Sequence, residues 1–354
     1  MGKGNVLRRQ RGMRLAAVLA VATMAVAGCG SSTKKAGGGT TTPAKKTVKV
    51  GLAYDVGGRG DKSFNDAAAA GLDKVRTNLK LQTKELSATL SEPEAAKQTR
   101  LNLLATGGYN PIVAVGFAYA PALAKVAPKY PNTKFAIIDS ADPAAPNVTN
   151  LVFAEQEGSF LVGAAAALKS KSKNVGFIGG VQVPLLQKFE AGYVAGVHAV
   201  DKNIKVQVKY LTQPPDVGGF NDPAKGKTAA EGMYDSGADI VFAAAGGSGT
   251  GVFQAAKGKG KLAIGTDSDQ YKTAPANLQS VIMTSMLKRV DVAVFDFVKD
   301  FGAGKFKAGS QVFDLKVDGV GYSKSGGMVD DIATKLDDFK KQIVDGKITV
   351  PTTP

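Results

Sequence analysis

Short apolar runs alternate with longer amphipathic runs along most of the chain, and this alternation limits the fold more than any other feature. The apolar runs lie at 48–52, 81–86, 111–116 and 134–138, then again at 175–178, 206–211, 240–242 and 262–264. Helical runs stand between them near 121–127, 185–200, 223–236 and 252–257. Further helix starts are marked by Ser63 with Asp66 three residues on, a capping-box pattern, and by Ser91 before Glu92, Pro93 and Glu94. Strand–helix–strand repetition calls for parallel sheets with helices on both faces. The restart near 175 predicts an α/β chain of two doubly wound lobes. A cleft between two such lobes lies at the carboxyl ends of the strands, where loops converge on a ligand.

The N-terminal residues predict the compartment. Lys3, Arg8, Arg9, Arg11 and Arg14 precede an apolar run at 15–27 of about 13 residues, too short for the roughly 20 that span a bilayer. It has the charge and length of a signal-peptide core. Val26, Ala27, Gly28 and Cys29 then form a lipobox-like sequence. Cys29 is the single cysteine of 354 residues, so it has no disulfide partner within the chain and is expected to carry the lipid. The Arg8–Arg9 pair is ordinary leader charge, because its neighbours do not fit twin-arginine export. A Gly/Ser/Thr/Lys-rich stretch follows to about residue 46 and reads as a flexible tether.

Removing the five basic residues of the leader lowers the net charge from +15 to +10. The remaining lysines are scattered singly, and past the leader the arginines are Arg59, Arg76, Arg100 and Arg289. No basic stripe with interleaved aromatics is present, so attraction to an anionic envelope explains the charge and nucleic acid is not an expected partner.

Several catalytic readings fail on residue types. The run NDPAKGKT at 221–228 misses a phosphate loop, since Asn221 replaces its first glycine and Pro223 removes a backbone donor. Asp222 as N-cap with Pro223 at the first helical position accounts for it. Gly246 to Gly251 reads GGSGTG without dinucleotide-fingerprint spacing. It suits both a tight strand-to-helix turn and a bare-backbone approach to a ligand, and the two readings stay open. His198, the single histidine, falls on a helix and is expected to be structural. No His/Cys cluster offers transition-metal spacing, so neither metal, cofactor nor catalysis is expected. What remains are polar and aromatic residues at strand ends: Asp55, the Asp61–Lys62–Ser63–Phe64–Asn65 run, Phe189 with Glu190, Asp267–Ser268–Asp269, and Lys288.

At these residues the sequence resembles the basic membrane protein family of solute-binding lipoproteins, whose members include purine nucleoside receptors. The resemblance runs from Val48 to about Val344. It rests on GGRGDKSFND at 57–66, KFEAGYVAGV at 188–197, AAAGGSGTGVFQAAK at 243–257, IGTDSDQ at 264–270 and SMLKRVDVAV at 285–294. It implies a type I periplasmic-binding-protein fold with hinged lobes, and a monomer that passes a small molecule to ABC permease subunits while held to the membrane by its lipid. The expected division is a signal peptide at 1–28, a tether at 29–46, an N-terminal lobe of 47–156 plus about 279–308, and a C-terminal lobe of 157–278 plus about 309–348.

The resemblance further implies that Phe64 and Phe189 sandwich a nucleobase with Asn65 on its edge. Asp267 and Lys288 would hold ribose hydroxyls, helped by Gly246 and Gly247. Asp55 and Lys62 join the expected site by their position after the first strand and before the first helix. Purine nucleosides are favoured. The loop after the third strand, 116–122, reads GFAYAPA where relatives often carry an acidic residue near the ligand, which Pro121 does not replace, so the resemblance leaves base selectivity open. A free sugar or another small polar solute, and a surface sensor in place of a feeder, remain as alternatives.

Overall fold

The computed structural model describes residues 48–89 and 92–354. The expected signal segment, Cys29, the tether and Ser91 lie outside the described residues.

The first half of the chain runs β1 (Lys49–Ala53), α1 (Phe64–Asn78), β2 (Gln82–Leu86), α2 (Glu94–Thr106), β3 (Ile112–Ala114), α3 (Ala120–Val126), β4 (Phe135–Ile138) and β5 (Val148–Phe153). The second runs α4 (Glu155–Lys169), β6 (Asn174–Val181), α5 (Pro184–Val200), β7 (Lys205–Thr212), α6 (Pro223–Asp235), β8 (Ile240–Ala244), α7 (Gly249–Lys259) and β9 (Leu262–Asp267). Short helices α8 (Gln270–Thr273) and α9 (Ala276–Gln279) precede β10 (Ile282–Lys288), α10 (Val290–Gly302), β11 (Gly309–Phe313), β12 (Val320–Tyr322) and α11 (Ala333–Val344). Asp222 caps α6 as the sequence predicts, its carboxylate accepting from the Lys225 amide at 2.9 Å.

Two six-stranded sheets result, in the orders β2-β1-β3-β4-β5-β11 and β7-β6-β8-β9-β10-β12. Both begin with the doubly wound order and reverse direction at one point, between β1 and β3 in one sheet and between β6 and β8 in the other. All strand pairs are parallel except β10 with β12, which is antiparallel. This is the architecture of the type I periplasmic-binding-protein fold that the sequence predicts. Among the described residues no helix is long and apolar enough to cross a membrane.

The division of the chain differs from the expected one in two places. The 279–308 segment does not belong wholly to the N-terminal lobe, because β10 pairs with β9 in the C-terminal sheet. Conversely, β11 pairs with β5 in the N-terminal sheet, although 309–348 was assigned to the C-terminal lobe. The chain therefore crosses between sheets around Ala154, around Arg289 and between Phe313 and Val320. Apolar content marks a strand but does not name its neighbour.

The sequence reading also passes over β5 and α4. Thr149 and Asn150 interrupt the apolar run of β5 and are buried because Thr149 donates to Lys307 O at 2.5 Å and Asn150 to Ser140 O at 3.1 Å. Helix α4 is buried almost all round, so it lacks the polar stripe that makes a helix visible. Its backbone lies directly against α5. A Cβ on Gly192 would sit 2.1 Å from Gln156 O, and one on Gly196 2.0 Å from Phe160 O. Only glycine permits that crossing, and it fixes the starts of α4 and α5, which carry Glu155 and Phe189.

Candidate functional site

The reversals of strand order place the site. At such a point neighbouring strands send their following loops in opposite directions and leave a crevice at their carboxyl ends. Asp55 follows β1 and Gly116 follows β3 in one sheet, while Gly246 follows β8 in the other. Asp139 lies just past β4, Asp267 ends β9 and Lys288 ends β10. These residues, together with Phe64, Phe117, Phe189 and Phe220, line one cavity between the sheets with about 550 Å³ free of protein atoms, its mouth included.

The start of α1 is organised by Asp61, a residue the capping-box reading passed over. Its carboxylate accepts from the backbone amides of Ser63 (2.9 Å), Asn65 (2.8 Å) and Asp66 (3.0 Å), satisfying the free donors of the first turn. Asp66 accepts instead from the Gly60 and Lys62 amides. The Ser63 side chain makes no cap bond and reaches the other lobe, 2.6 Å from Asp267 Oδ2 and 3.0 Å from Thr266 O. Asn65 is tied inward: its Oδ1 accepts from the Asp55 amide at 3.1 Å, and its Nδ2 donates to Val56 O and to Asp61. Both amide hydrogens are engaged, so Asn65 has no donor free for a base edge.

Lys288 is the electrostatic centre. Only 2% of its side chain is exposed. Its ammonium lies 2.5 Å from Asp139 Oδ2 and 3.7 Å from Glu155 Oε1. Burial opposes its charge, but the carboxylates of Asp139, Glu155 and Asp267 outweigh that cost and raise its pKa. Burial pushes Asp267 up to about 6 despite Lys288 and the Ser63 bond, and pushes Asp55 up to about 6 against a bond from the Val56 amide. Glu155 rises to about 7 through burial, against the opposing pull of Lys288 and with a smaller push from Asp139. Asp139 Oδ1 and Glu155 Oε1 are buried acceptors without a hydrogen-bond partner among the described residues. Such groups are costly unless something supplies a donor.

Aromatic rings enclose this charge. The Lys288 ammonium lies 4.9 Å from the centroid of Phe64, 5.2 Å from Phe153 and 5.6 Å from Phe189, within cation–π range of all three. Phe117 and Phe220, one from each lobe, meet edge to face at 6.5 Å. The loop without an acidic residue therefore contributes a ring. Its Tyr119 is fully buried, accepts from Arg100 and donates to Tyr54 O at 2.9 Å, which steadies the backbone beside Asp55. Gly116 has φ +101°, and a Cβ there would lie 2.2 Å from Asp55 Oδ2.

The structure thus brings together Asp55, Phe64, Asn65, Phe189, Gly246, Asp267 and Lys288 from the expected set. It does not bring in Lys62 or Gly247. The Lys62 side chain is nearly half exposed, lies 3.9 Å from Asp66 and takes no part in the cavity lining; its backbone has φ +60°. Gly247 packs between Asn221 and Asp61, where a Cβ would meet Asn221 Oδ1 at 3.2 Å. Gly246, with φ +54°, is the glycine of this pair that faces the cavity, while Gly251 sits so near Pro223 O that its role is packing. His198 lies on the outer side of α5, 3.3 Å from Ile204 O. Asp139, Glu155, Phe117 and Phe220 were missed. A lone acid after the apolar run 134–138 was a visible signal for Asp139. Nothing in the sequence around Glu155 distinguished it.

Residues 47–354 match the Bmp family, described as ABC transporter substrate-binding protein PnrA-like. The ABC transporter nucleoside-binding protein BmpA of Lactococcus lactis subsp. cremoris is 35% identical over 96% of this chain and 99% of its own length. An uncharacterized lipoprotein of Pyrococcus abyssi is 36% identical over 89% of this chain and 77% of its own. Among solved structures, an ABC transporter system solute-binding protein from Aeropyrum pernix K1 superposes with a TM-score of 0.75 at 30% identity, covering 86% of this chain and 93% of that one. The chain belongs to the Bmp family of PnrA-like ABC transporter substrate-binding proteins, a family of solute binders and not of enzymes.

Proposed function

We propose that this protein binds a nucleoside, a purine nucleoside foremost, in the cavity between its lobes and delivers it to an ABC permease from the outer face of the membrane, held there by a lipid on Cys29. The observation that carries the ligand class is the juxtaposition of Phe64 and Phe189, from opposite lobes, around the Lys288–Asp139–Asp267 charge cluster. A nucleoside has that same division into a flat apolar base and a polyhydroxyl ring. Base–aromatic stacking contributes about 1–3 kcal/mol per base. Hydrogen bonds between charged groups and hydroxyls contribute roughly 1.5–3 kcal/mol. The name of the Lactococcus relative supports this ligand class, and the lipobox-like Val26–Cys29 sequence supports the anchor. Contacts to both lobes would favour closure, which the permease could then read.

Calorimetric titration with adenosine, guanosine, inosine, cytidine, uridine and ribose, after stripping co-purified ligand, tests the reading. Binding of a nucleoside with ribose silent is the expected result. The charge cluster by itself would also suit a free sugar, and binding of ribose with all nucleosides silent would establish that reading instead.

A further inference from the structure

Five contacts of hydrogen-bond length join the Lys62–Ser63 segment of one lobe to the 266–273 segment of the other, two of them sharing the Ser63 hydroxyl. Ser63 Oγ lies within bonding distance of Asp267 Oδ2 (2.6 Å) and Thr266 O (3.0 Å). In return Ser268 Oγ donates to Ser63 O at 2.8 Å, and Lys62 O accepts from Gln270 Nε2 at 2.9 Å and Thr273 Oγ1 at 3.2 Å. Gln270 is held in turn by the Thr266 amide, which donates to its Oε1 at 2.8 Å. Lys62 adopts φ +60° and Asp267 φ +66°, a region most residues avoid, so both backbones are held where these bonds can form.

Ser63 is fully buried, and a hydroxyl has one hydrogen to give. The carboxylate is the closer and stronger acceptor, and a bond to a charged group outweighs a neutral one. Among the described residues this is the one hydrogen bond made to the Asp267 carboxylate. It occupies Oδ2, and its donor comes from the opposite lobe. Separating the lobes would leave the carboxylate without that bond and free to rotate.

We propose that Ser63 is a positioning residue: its hydroxyl, crossing the cleft, orients the Asp267 carboxylate toward the hydroxyl groups of the ligand and does so only while the lobes are together. Ligand recognition and closure are thereby joined through one side chain that does not line the cavity. The identity of the ligand rests on the nucleoside reading, whereas the latch between Ser63 and Asp267 does not.

The test compares wild type, Ser63→Ala, Ser63→Thr, Asp267→Asn and the Ser63→Ala/Asp267→Asn double variant by calorimetry, with a ribonucleoside and its 2′,3′-dideoxy counterpart. The quantity read is the ratio of the two affinities, which misfolded protein does not alter. Ser63→Ala should lower the ratio about tenfold, as expected for one hydrogen bond to a charged group. Ser63→Thr, which keeps the hydroxyl, should restore it. In the Asp267→Asn background Ser63→Ala should change the ratio little further. An unchanged ratio in Ser63→Ala, or an equal loss for both ligands, overturns the proposal. If wild type binds no nucleoside, the ligand reading fails, and small-angle scattering of the unliganded proteins decides the latch. A larger radius of gyration in Ser63→Ala, reversed in Ser63→Thr, supports it. Identical scattering overturns it.

Discussion

Lys288 at the end of a C-terminal-lobe strand places its ammonium 2.5 Å from the Asp139 carboxylate at the end of an N-terminal-lobe strand. This contact joins the sheets at the floor of the cavity, and Glu155 and Asp267 depend on the same cation. Replacing Lys288 with Met would leave three buried carboxylates without it. Breaking a buried pair by removing one partner costs about 3–5 kcal/mol. Urea unfolding of Lys288→Met should show a loss of that size, and adding Asp139→Asn should recover part of it.

Asp55, Asp267 and Glu155 all have pKa values raised by burial, to about 6, 6 and 7. Between the unfolded carboxylate range near 4 and these values, the folded protein holds protons that the unfolded chain has lost. Stability contributed by these groups therefore rises as pH falls through 7 and 6 toward 4, and falls as pH rises through the same window. Calorimetric melting across pH 4.5–8 should place the unliganded protein's highest Tm on the acid side of neutrality. Asp267→Asn should flatten the profile.

The two rings on opposite lobes are predicted to contribute comparably. Phe64→Ala and Phe189→Ala should each weaken nucleoside binding at least about tenfold, the equivalent of one lost stacking contact. Circular dichroism should remain that of the parent protein for Phe64→Ala, whose ring is only partly buried. Titration calorimetry reads the affinity. A loss restricted to one variant would place the base against that ring alone.

Asp267→Ala should remove the preference for ribonucleosides over 2′,3′-dideoxynucleosides, because it removes the charged acceptor while leaving the rings in place. Competition titration of the two ligands reads the ratio directly. A preference that survives the substitution removes Asp267 from the sugar site and points to Asp139 Oδ1, a buried acceptor that lacks a partner among the described residues and belongs to a residue lining the cavity.

Gly116→Ala tests the cavity wall beside Asp55. The residue combines φ +101° with ψ 148°, a conformation that is nearly glycine-specific and costs about 1–3 kcal/mol for other residues. The new Cβ would also displace the Asp55 carboxylate. The expected outcome is a stability loss of about that size, read by chemical denaturation, with weaker ligand binding in the folded fraction.

Much of the site could be read in the sequence because its residues stand where apolar runs stop. Asp55, Asp267 and Lys288 each end or follow a strand, and Phe64 opens a helix, so the doubly wound pattern alone aims them at a shared crevice. Lys62 and Gly247 were drawn in by proximity to true lining residues. A neighbour in sequence faces elsewhere when the backbone turns, and here the turn at Lys62 is left-handed. Asn65 reaches the cavity, but its donors are used within the loop, a matter of hydrogen-bond accounting that spacing does not reveal.

By itself the sequence determined the α/β class, the two rounds of strand–helix alternation, the cap at Asp222 and the family, because each depends on residues close together in the chain. Only the tertiary structure decided that β10 and β11 exchange lobes, that Asp139 and Glu155 surround Lys288, and that Ser63 bonds to Asp267 rather than to its own helix. Those outcomes depend on which strands pair and which helix backbones come together. A strand carries the same apolar pattern whatever its neighbour, and a hydroxyl does not record an acceptor 204 residues away.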